Sequence, residues 1–265
     1  MKLTPIFDIE KEGRPMRVGG FMSGSGTNIV KLIEKENTLK EEKNSSPFHV
    51  VFIFSDRSDD KCSGEKIAYE NGIPYFSFDI RTFHRLKGLK RTALGPEGLS
   101  ARREFDSVAA GLVKAFNIDV IALGGYMSYI TLDRCINVHP ADLSILTPDG
   151  KRKYVGDHAV LDAIAAGETV LRSSTLWTDQ GVDTGPLLMV SDLLEVNLPA
   201  PLSQLLKDGD RLLKVVDLHQ EHLKEVGDWK IFPRTIEIIA EGRLAFDDQN
   251  RVYMDGNPVP KGYRE

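Results

Sequence analysis

A chain of 265 residues with 41% hydrophobic and 28% charged residues can bury a substantial core, as one large α/β domain or two small ones. The formal net charge of -5 argues against a surface that coats nucleic acid, which needs a basic excess, although a local basic patch stays compatible with it. Two cysteines without paired spacing, Cys62 and Cys135, give neither a disulfide framework nor a zinc site, and no apolar run approaches the roughly 20 residues that span a bilayer. A cytoplasmic protein with no membrane and no nucleic-acid partner is the expectation.

Residues 1–15 mix charges with isolated apolar positions and read as an N-terminal extension ahead of one domain, residues 16–265. Met16 to Met22 is an apolar strand ending in Ser-Gly-Ser-Gly, and Thr27 to Glu36 carries helical spacing. His49 to Ser55 is apolar on both faces, as in a buried parallel strand. Cys62 to Asn71 reads as a helix stopped by Gly72, Ile73 to Phe78 as a strand, and Ser100 to Phe116 as a helix with Phe105, Val108, Leu112 and Phe116 down one side. Between His84 and Glu97 a Gly-, Lys- and Arg-rich stretch without periodicity predicts an exposed loop. Asp119 to Gly125 and Cys135 to His139 are further strands. This alternation predicts an α/β fold, Rossmann-like and doubly wound, with a mostly parallel sheet. The second half changes character: Val170 to Trp177 and Leu187 to Glu195 predict antiparallel additions, Leu202 to Val226 and Phe232 to Ala240 helices, and Arg243 to Pro258 a hairpin turning at Asp247 to Asn250.

Two places carry chemistry. Ser23-Gly-Ser-Gly-Thr-Asn28 follows a strand and opens a helix, where backbone N–H groups and the helix dipole can hold an anion. Read locally, it is either such a site or a plain tight turn. Ile29 stands where a dinucleotide fingerprint needs its third glycine, and no Lys follows Gly26 as a P-loop requires, so a phosphomonoester suits it better than a nicotinamide cofactor. Asn137-Val-His-Pro140 lies at the carboxyl end of a strand, and Asp183 in the turn-rich Gln180 to Pro186. An amide beside an imidazole, with a carboxylate to raise the imidazole pKa, is a kit for acyl transfer. By itself, Asn-x-His-Pro is more often a structural turn, and Asp183 can equally be a cap of the turn it sits in. A Ser-His-Asp hydrolase would need Gly-x-Ser-x-Gly, which is absent.

Taken in order, Ser23 to Asn28, Gly124-Gly-Tyr-Met127, Asn137 to Pro140, Gly181-Val-Asp-Thr-Gly-Pro186, Gln220-Glu-His222, Ile231-Phe-Pro233 and Glu241-Gly-Arg-Leu244 resemble the phosphoribosylglycinamide formyltransferase family over Met16 to Tyr263. The resemblance implies a formyltransferase domain that moves a formyl group from 10-formyltetrahydrofolate, a co-substrate, to the glycine amine of a phosphorylated ribose amide, a one-carbon step of purine biosynthesis. It implies Asn137, His139 and Asp183 as the catalytic trio, with His139 as general acid held charged by Asp183. Gly26, Thr27 and Asn28 would bind the substrate phosphate, and Glu221 the glycinamide end. Arg102, Met127, Ser128, Tyr129, Ile130, Asn137 and Asp179 would bind folate. No metal is implied, and a monomer or homodimer is expected. A formyltransferase for another small amine, or a formyltetrahydrofolate hydrolase, is the alternative.

The chain departs from the family's pattern at three places. Ser128 stands where the family usually has Arg, Leu176 where it has His, and Ala141 to Arg152 replaces a shorter loop. Asp142, three residues after His139, is expected near the acceptor pocket, and Thr147-Pro-Asp-Gly150 to form a turn directed outward.

Overall fold

The computed structural model describes residues 2–89 and 95–265, and the chain divides into two compact units, Phe7–Ile136 and Asn137–Glu265 with the N-terminal residues to Ile6. Ahead of the first unit, β1 (Thr4–Pro5) pairs with a strand near the C terminus. A short helix, α1 (Ile9–Glu12), is closed by Gly13. Then come β2 (Met16–Met22), α2 (Thr27–Lys43), β3 (Phe48–Ser55), α3 (Gly64–Asn71), β4 (Tyr75–Ser77), α4 (Ile80–Leu86), α5 (Pro96–Ala115) and β5 (Val120–Leu123). In this unit β4, β3, β2 and β5 lie side by side in that order, all parallel. Buried strands between crossover helices need apolar residues on both faces. β3 supplies them, with only His49 exposed among its eight residues. Phe21 and Phe54 pack at 4.9 Å between ring centroids and Phe52 and Phe116 at 5.3 Å, forming an aromatic centre with Ile121 and Leu123.

The loop expected between His84 and Glu97 is shorter than predicted. α4 runs to Leu86 with His84 buried, its start capped by Asp79, and α5 begins at Pro96 behind Gly95. Proline at the first helical position has the dihedral a helix needs and loses no intrahelical hydrogen bond. The expectation for residues 90–94 lies outside the described residues.

In the second unit follow β6 (Cys135–His139), α6 (Ala159–Ala165), β7 (Val170–Leu171), β8 (Ser174–Trp177), β9 (Leu187–Val190) and β10 (Leu194–Glu195). β8 lies between β6 and β9 and is antiparallel to β9; β7 and β10 form a separate antiparallel pair. The strands expected over 170–177 and 187–195 are thus each broken in two. Then come α7 (Leu202–Leu205), α8 (Gly209–Leu223) and α9 (Trp229–Ala240), the last two joined by a π-helix over Lys224–Asp228. The helix predicted over 202–226 is therefore segmented: Asp208 caps a fresh start at Gly209, and the π turn carries Gly227 against Ser173. A Cβ at Gly227 would lie 2.5 Å from the Ser173 hydroxyl oxygen. The tail hairpin matches the expectation, as β11 (Leu244–Phe246) and β12 (Val252–Met254), with β13 (Asn257–Pro258) at its edge. The fold class is the α/β one predicted, with a mostly parallel sheet and antiparallel additions in the C-terminal half. No helix among the described residues is long and apolar enough to cross a membrane.

Candidate functional site

In the first unit the loop after β2 meets the loop after β5, because both strands are parallel and adjacent. The Ser23 N–H donates to the carbonyl of Gly125 at 3.1 Å, and the Met127 N–H donates to the Ser23 hydroxyl at 2.9 Å. Gly124 is required by this approach, since a Cβ there would lie 2.6 Å from Ile29 Cδ1 and 3.2 Å from the Ile29 nitrogen. Gly26 has φ 67° and precedes α2, and a Cβ would meet Met22 and Ile67 within 2.8 Å. Thr27 is exposed at the helix start, and Asn28 is buried with its Oδ1 unpartnered. No acidic residue occupies the first turn of α2, so its dipole and free N–H groups meet no competing carboxylate. This is anion-receptive chemistry beside a polar atom that awaits a donor.

The residues expected on the folate side of this unit differ in surroundings. Met127 is 62% exposed, whereas Ile130 packs in the aromatic core. Tyr129 is half-buried. The Ser128 hydroxyl donates to the carboxylate of Asp56, which is fully buried and keeps a second oxygen unpartnered. Arg102 is buried beneath Tyr126, donating to its hydroxyl at 3.1 Å and to Asp106 at 3.3 Å. These bonds engage Nε and Nη2 of its guanidinium.

In the second unit Asn137 and His139, two apart on β6, share one face of the strand. His139 Nδ1 lies 3.4 Å from Asp183 Oδ2, and Nε2 lies 3.2 Å from the carbonyl oxygen of Tyr154. Asp183 itself adopts φ 54°, and its Oδ2 also accepts the Gly156 N–H at 2.9 Å. The loop around Asp183 is knitted internally: Asp179 Oδ1 accepts the Gly181 N–H at 2.9 Å and the Thr184 hydroxyl at 2.6 Å. Gly185 is pressed so close to the Trp177 carbonyl that a Cβ would overlap it, at 1.9 Å. The structure thus brings His139 and Asp183 together and places Asp179 in the same loop. Glu221 sits exposed on α8, paired with Lys224 at 2.5 Å.

Burial pushes the proton affinity of His139 down, and this outweighs the upward pull of Asp183; the charge of Arg152 pushes the same way as burial. Asp183 thus pulls toward the charged ring, but burial is the larger effect and the net direction is downward. A neutral imidazole donates through one nitrogen only, yet both nitrogens face acceptors. A ligand oxygen takes a hydrogen bond from Nε2 only by displacing the Tyr154 carbonyl.

The altered loop behaves partly as expected. Pro148, Asp149 and Gly150 are exposed at a tight turn in which the Thr147 N–H donates to the Lys151 carbonyl at 2.8 Å. Asp142, expected to face an acceptor, instead lies 3.3 Å from Arg264 and 3.8 Å from Arg172 and accepts the Ser144 N–H at 2.9 Å. Leu176, where a His was expected by resemblance, is buried with Leu143, Leu187 and Val190. Sequence reasoning missed Arg152, which donates from Nη1 to the Asp183 carbonyl and from Nη2 to the Gly185 carbonyl at 2.6 Å.

Comparison with known proteins adds the lineage. The profile of the family described as formyl transferase matches residues 16–197. A phosphoribosylglycinamide formyltransferase from Haemophilus influenzae is 24% identical over 255 residues, covering 93% of this chain and 98% of its own. A trifunctional purine biosynthetic protein adenosine-3 from Drosophila melanogaster is 25% identical over 236 residues; the match spans 86% of this chain but only 14% of that much longer protein. Among solved structures, a phosphoribosylglycinamide formyltransferase from Coxiella burnetii aligns with a TM-score of 0.63 at 23% identity, over 95% of this chain and 99% of its own.

Proposed function

This chain belongs to the formyl transferase family, and from that premise we propose that it transfers the formyl group of 10-formyltetrahydrofolate to the amine of phosphoribosylglycinamide, in the cytoplasm and in purine biosynthesis. The observation that carries the reading is the His139–Asp183 contact, with Asn137 on the same strand face as His139. The acceptor nitrogen forms a bond to the formyl carbon while the carbonyl electrons move onto oxygen. Asn137 and a donating His139 stabilise that oxyanion. The bond from formyl carbon to N10 then breaks, N10 gains a proton and the amine loses one, with His139 and Asp183 as relay. Gly26, Thr27 and Asn28 hold the acceptor phosphate, and Glu221 its glycinamide end. Met127, Ser128, Tyr129, Ile130, Asp179 and Arg102 line the folate side. The proposed enzyme is a monomer or homodimer, and these steps assign no role to a metal.

A formyl-transfer assay offers the phosphorylated glycinamide beside its unphosphorylated form, other small amines and water. The expected result is a kcat/KM for the phosphorylated glycinamide at least about tenfold above every other acceptor, since losing a charge-assisted phosphate contact costs about 1.5–3 kcal/mol. Preference for another amine would overturn the acceptor and leave the formyl chemistry standing; consumption of the folate with water alone would mark a hydrolase.

A further inference from the structure

The segment that closes the altered loop contacts the His139–Asp183 pair at every second residue. Arg152 donates through its guanidinium to the carbonyls of Asp183 and Gly185, the Tyr154 carbonyl faces His139 Nε2 at 3.2 Å, and the Gly156 N–H donates to Asp183 Oδ2 at 2.9 Å. The segment's start is fixed by the bridge between Leu146 and Arg152 and by the Lys153 N–H donating to the Ile145 carbonyl at 3.0 Å. Its middle is fixed by the Tyr154 hydroxyl on Glu168 at 2.6 Å.

We propose that Arg152 is a positioning residue for the reaction, fastening the Asp183 loop through two backbone carbonyls so that the carboxylate reaches His139. The proposal rests on the formyl-transfer reading for its kinetic consequence, but its structural content does not. Two features give the clamp something to hold. Asp183 sits in the left-handed region, which is uncommon for a non-glycine residue although aspartate tolerates it. The loop also carries Gly181 and Gly185 on either side of the carboxylate, and its internal hydrogen bonds run through Asp179, so the fork adds a tie from outside the loop at Asp183 and Gly185 themselves. A planar guanidinium spans two carbonyls at once, which an ammonium cannot do with the same geometry.

The charge of Arg152 has a second effect. Burial acts most strongly on His139 and opposes its proton; Asp183, the Tyr154 carbonyl and Asp157 favour the proton, and Arg152 opposes it. Facing Arg152 are Asp183 and Asp179. By satisfying the loop's carbonyls while standing beside its carboxylate, Arg152 limits how strongly Asp183 can charge the imidazole.

The test uses the full chain as wild type, Arg152→Lys and Arg152→Met, with a third variant in which residues 147–151 are shortened to a Gly-containing turn and Arg152 is kept. Two readouts are taken: kcat and KM for formyl transfer, and the titration of His139 by NMR, assigned by loss of its signal in His139→Asn. Arg152→Lys keeps the charge and loses the fork, so kcat is expected to fall at least about tenfold with KM changed less than about twofold, and the His139 midpoint to move downward as the Asp183 carboxylate withdraws. Arg152→Met loses fork and charge together, so kcat falls as in the lysine variant and the midpoint lies above that of the lysine variant. The shortened loop matches wild type in both. Should Arg152→Met fail to fold, the lysine variant decides alone: wild-type kcat there overturns the clamp. If no acceptor supports turnover, the formyl-transfer reading fails, and the His139 midpoint in Arg152→Lys still decides the proposal, an unmoved midpoint overturning it.

Discussion

At 5% exposure the His139 imidazole is hard to charge, while Asp183 at 3.4 Å favours the charge. The unfolded chain binds a proton on this ring near the ordinary value of about 6.5, and the folded chain binds it only at lower pH. Between those two values the unfolded state carries more protons, so stability falls as pH drops below about 6.5. The loss levels off once the folded ring is protonated too. His139→Gln should therefore lose less stability than wild type between about pH 7.5 and about pH 5 in urea titrations; an identical loss in both proteins would locate the acid sensitivity elsewhere. For activity, Asn137→Ala and His139→Ala should each lower kcat on the order of a hundredfold, about 2.7 kcal/mol, with smaller changes in KM. Steady-state kinetics check this, and near-normal turnover of both would remove the oxyanion role. These residues were legible because Asn-x-His at a strand end and an aspartate among glycines are local patterns. Arg152 was not, because its partners are backbone carbonyls about thirty residues away, and a carbonyl leaves no mark on a sequence.

Elements with strong periodicity were read closely: β2 matches its expected bounds, β6 likewise, and the tail hairpin turns where Asp247 to Asn250 predicted, with Asn250 at φ 57°. The failures share a cause. The π turn over Lys224–Asp228 keeps helical composition, so residue type alone does not separate it from the helices on either side. The break between β9 and β10, like that between β7 and β8, comes from strands exchanging partners, which is decided by packing rather than by residue type. Glycines show the same divide. Gly26 and Gly124 both looked like loop residues, yet each is held by a steric demand from a neighbouring element. A bulky residue at Gly26 would therefore disturb the turn itself and is a poor probe of anion binding. Gly124→Ala should destabilise the protein by about 1–3 kcal/mol through overpacking against Ile29. Adding Ile29→Val, which removes the Cδ1 atom 2.6 Å from the new Cβ, should restore part of that loss. Urea unfolding of the two singles and the double gives the coupling, and strict additivity would show that the two sites are independent.

For the whole chain, the alternation of strands and helices was enough to predict the α/β class, whereas the division at Ile136 and Asn137 falls inside β6, where no change of composition marks it. The net charge of -5 has a consequence for ligands. A phosphorylated acceptor and a folate are both anionic, so the long-range field of the protein disfavours both, and affinity must come from local donors. On the proposed reading the donors for the acceptor phosphate are the N–H groups opening α2 and the amide of Asn28, with folate bound by other residues. Ligand-linked stability separates the two. Each ligand at about 100 times its Kd should stabilise the folded chain by about 2.7 kcal/mol, a Tm rise on the order of 5–10 °C for a chain of this size. Asn28→Ala removes one side-chain contact at the phosphate and should reduce the rise produced by the phosphorylated glycinamide at fixed concentration, leaving the rise produced by folate unchanged. The unphosphorylated glycinamide should give little rise in either protein. Equal loss for both ligands would mean that Asn28 shapes the fold rather than the phosphate site, and an unchanged rise for both would put the phosphate elsewhere on the molecule.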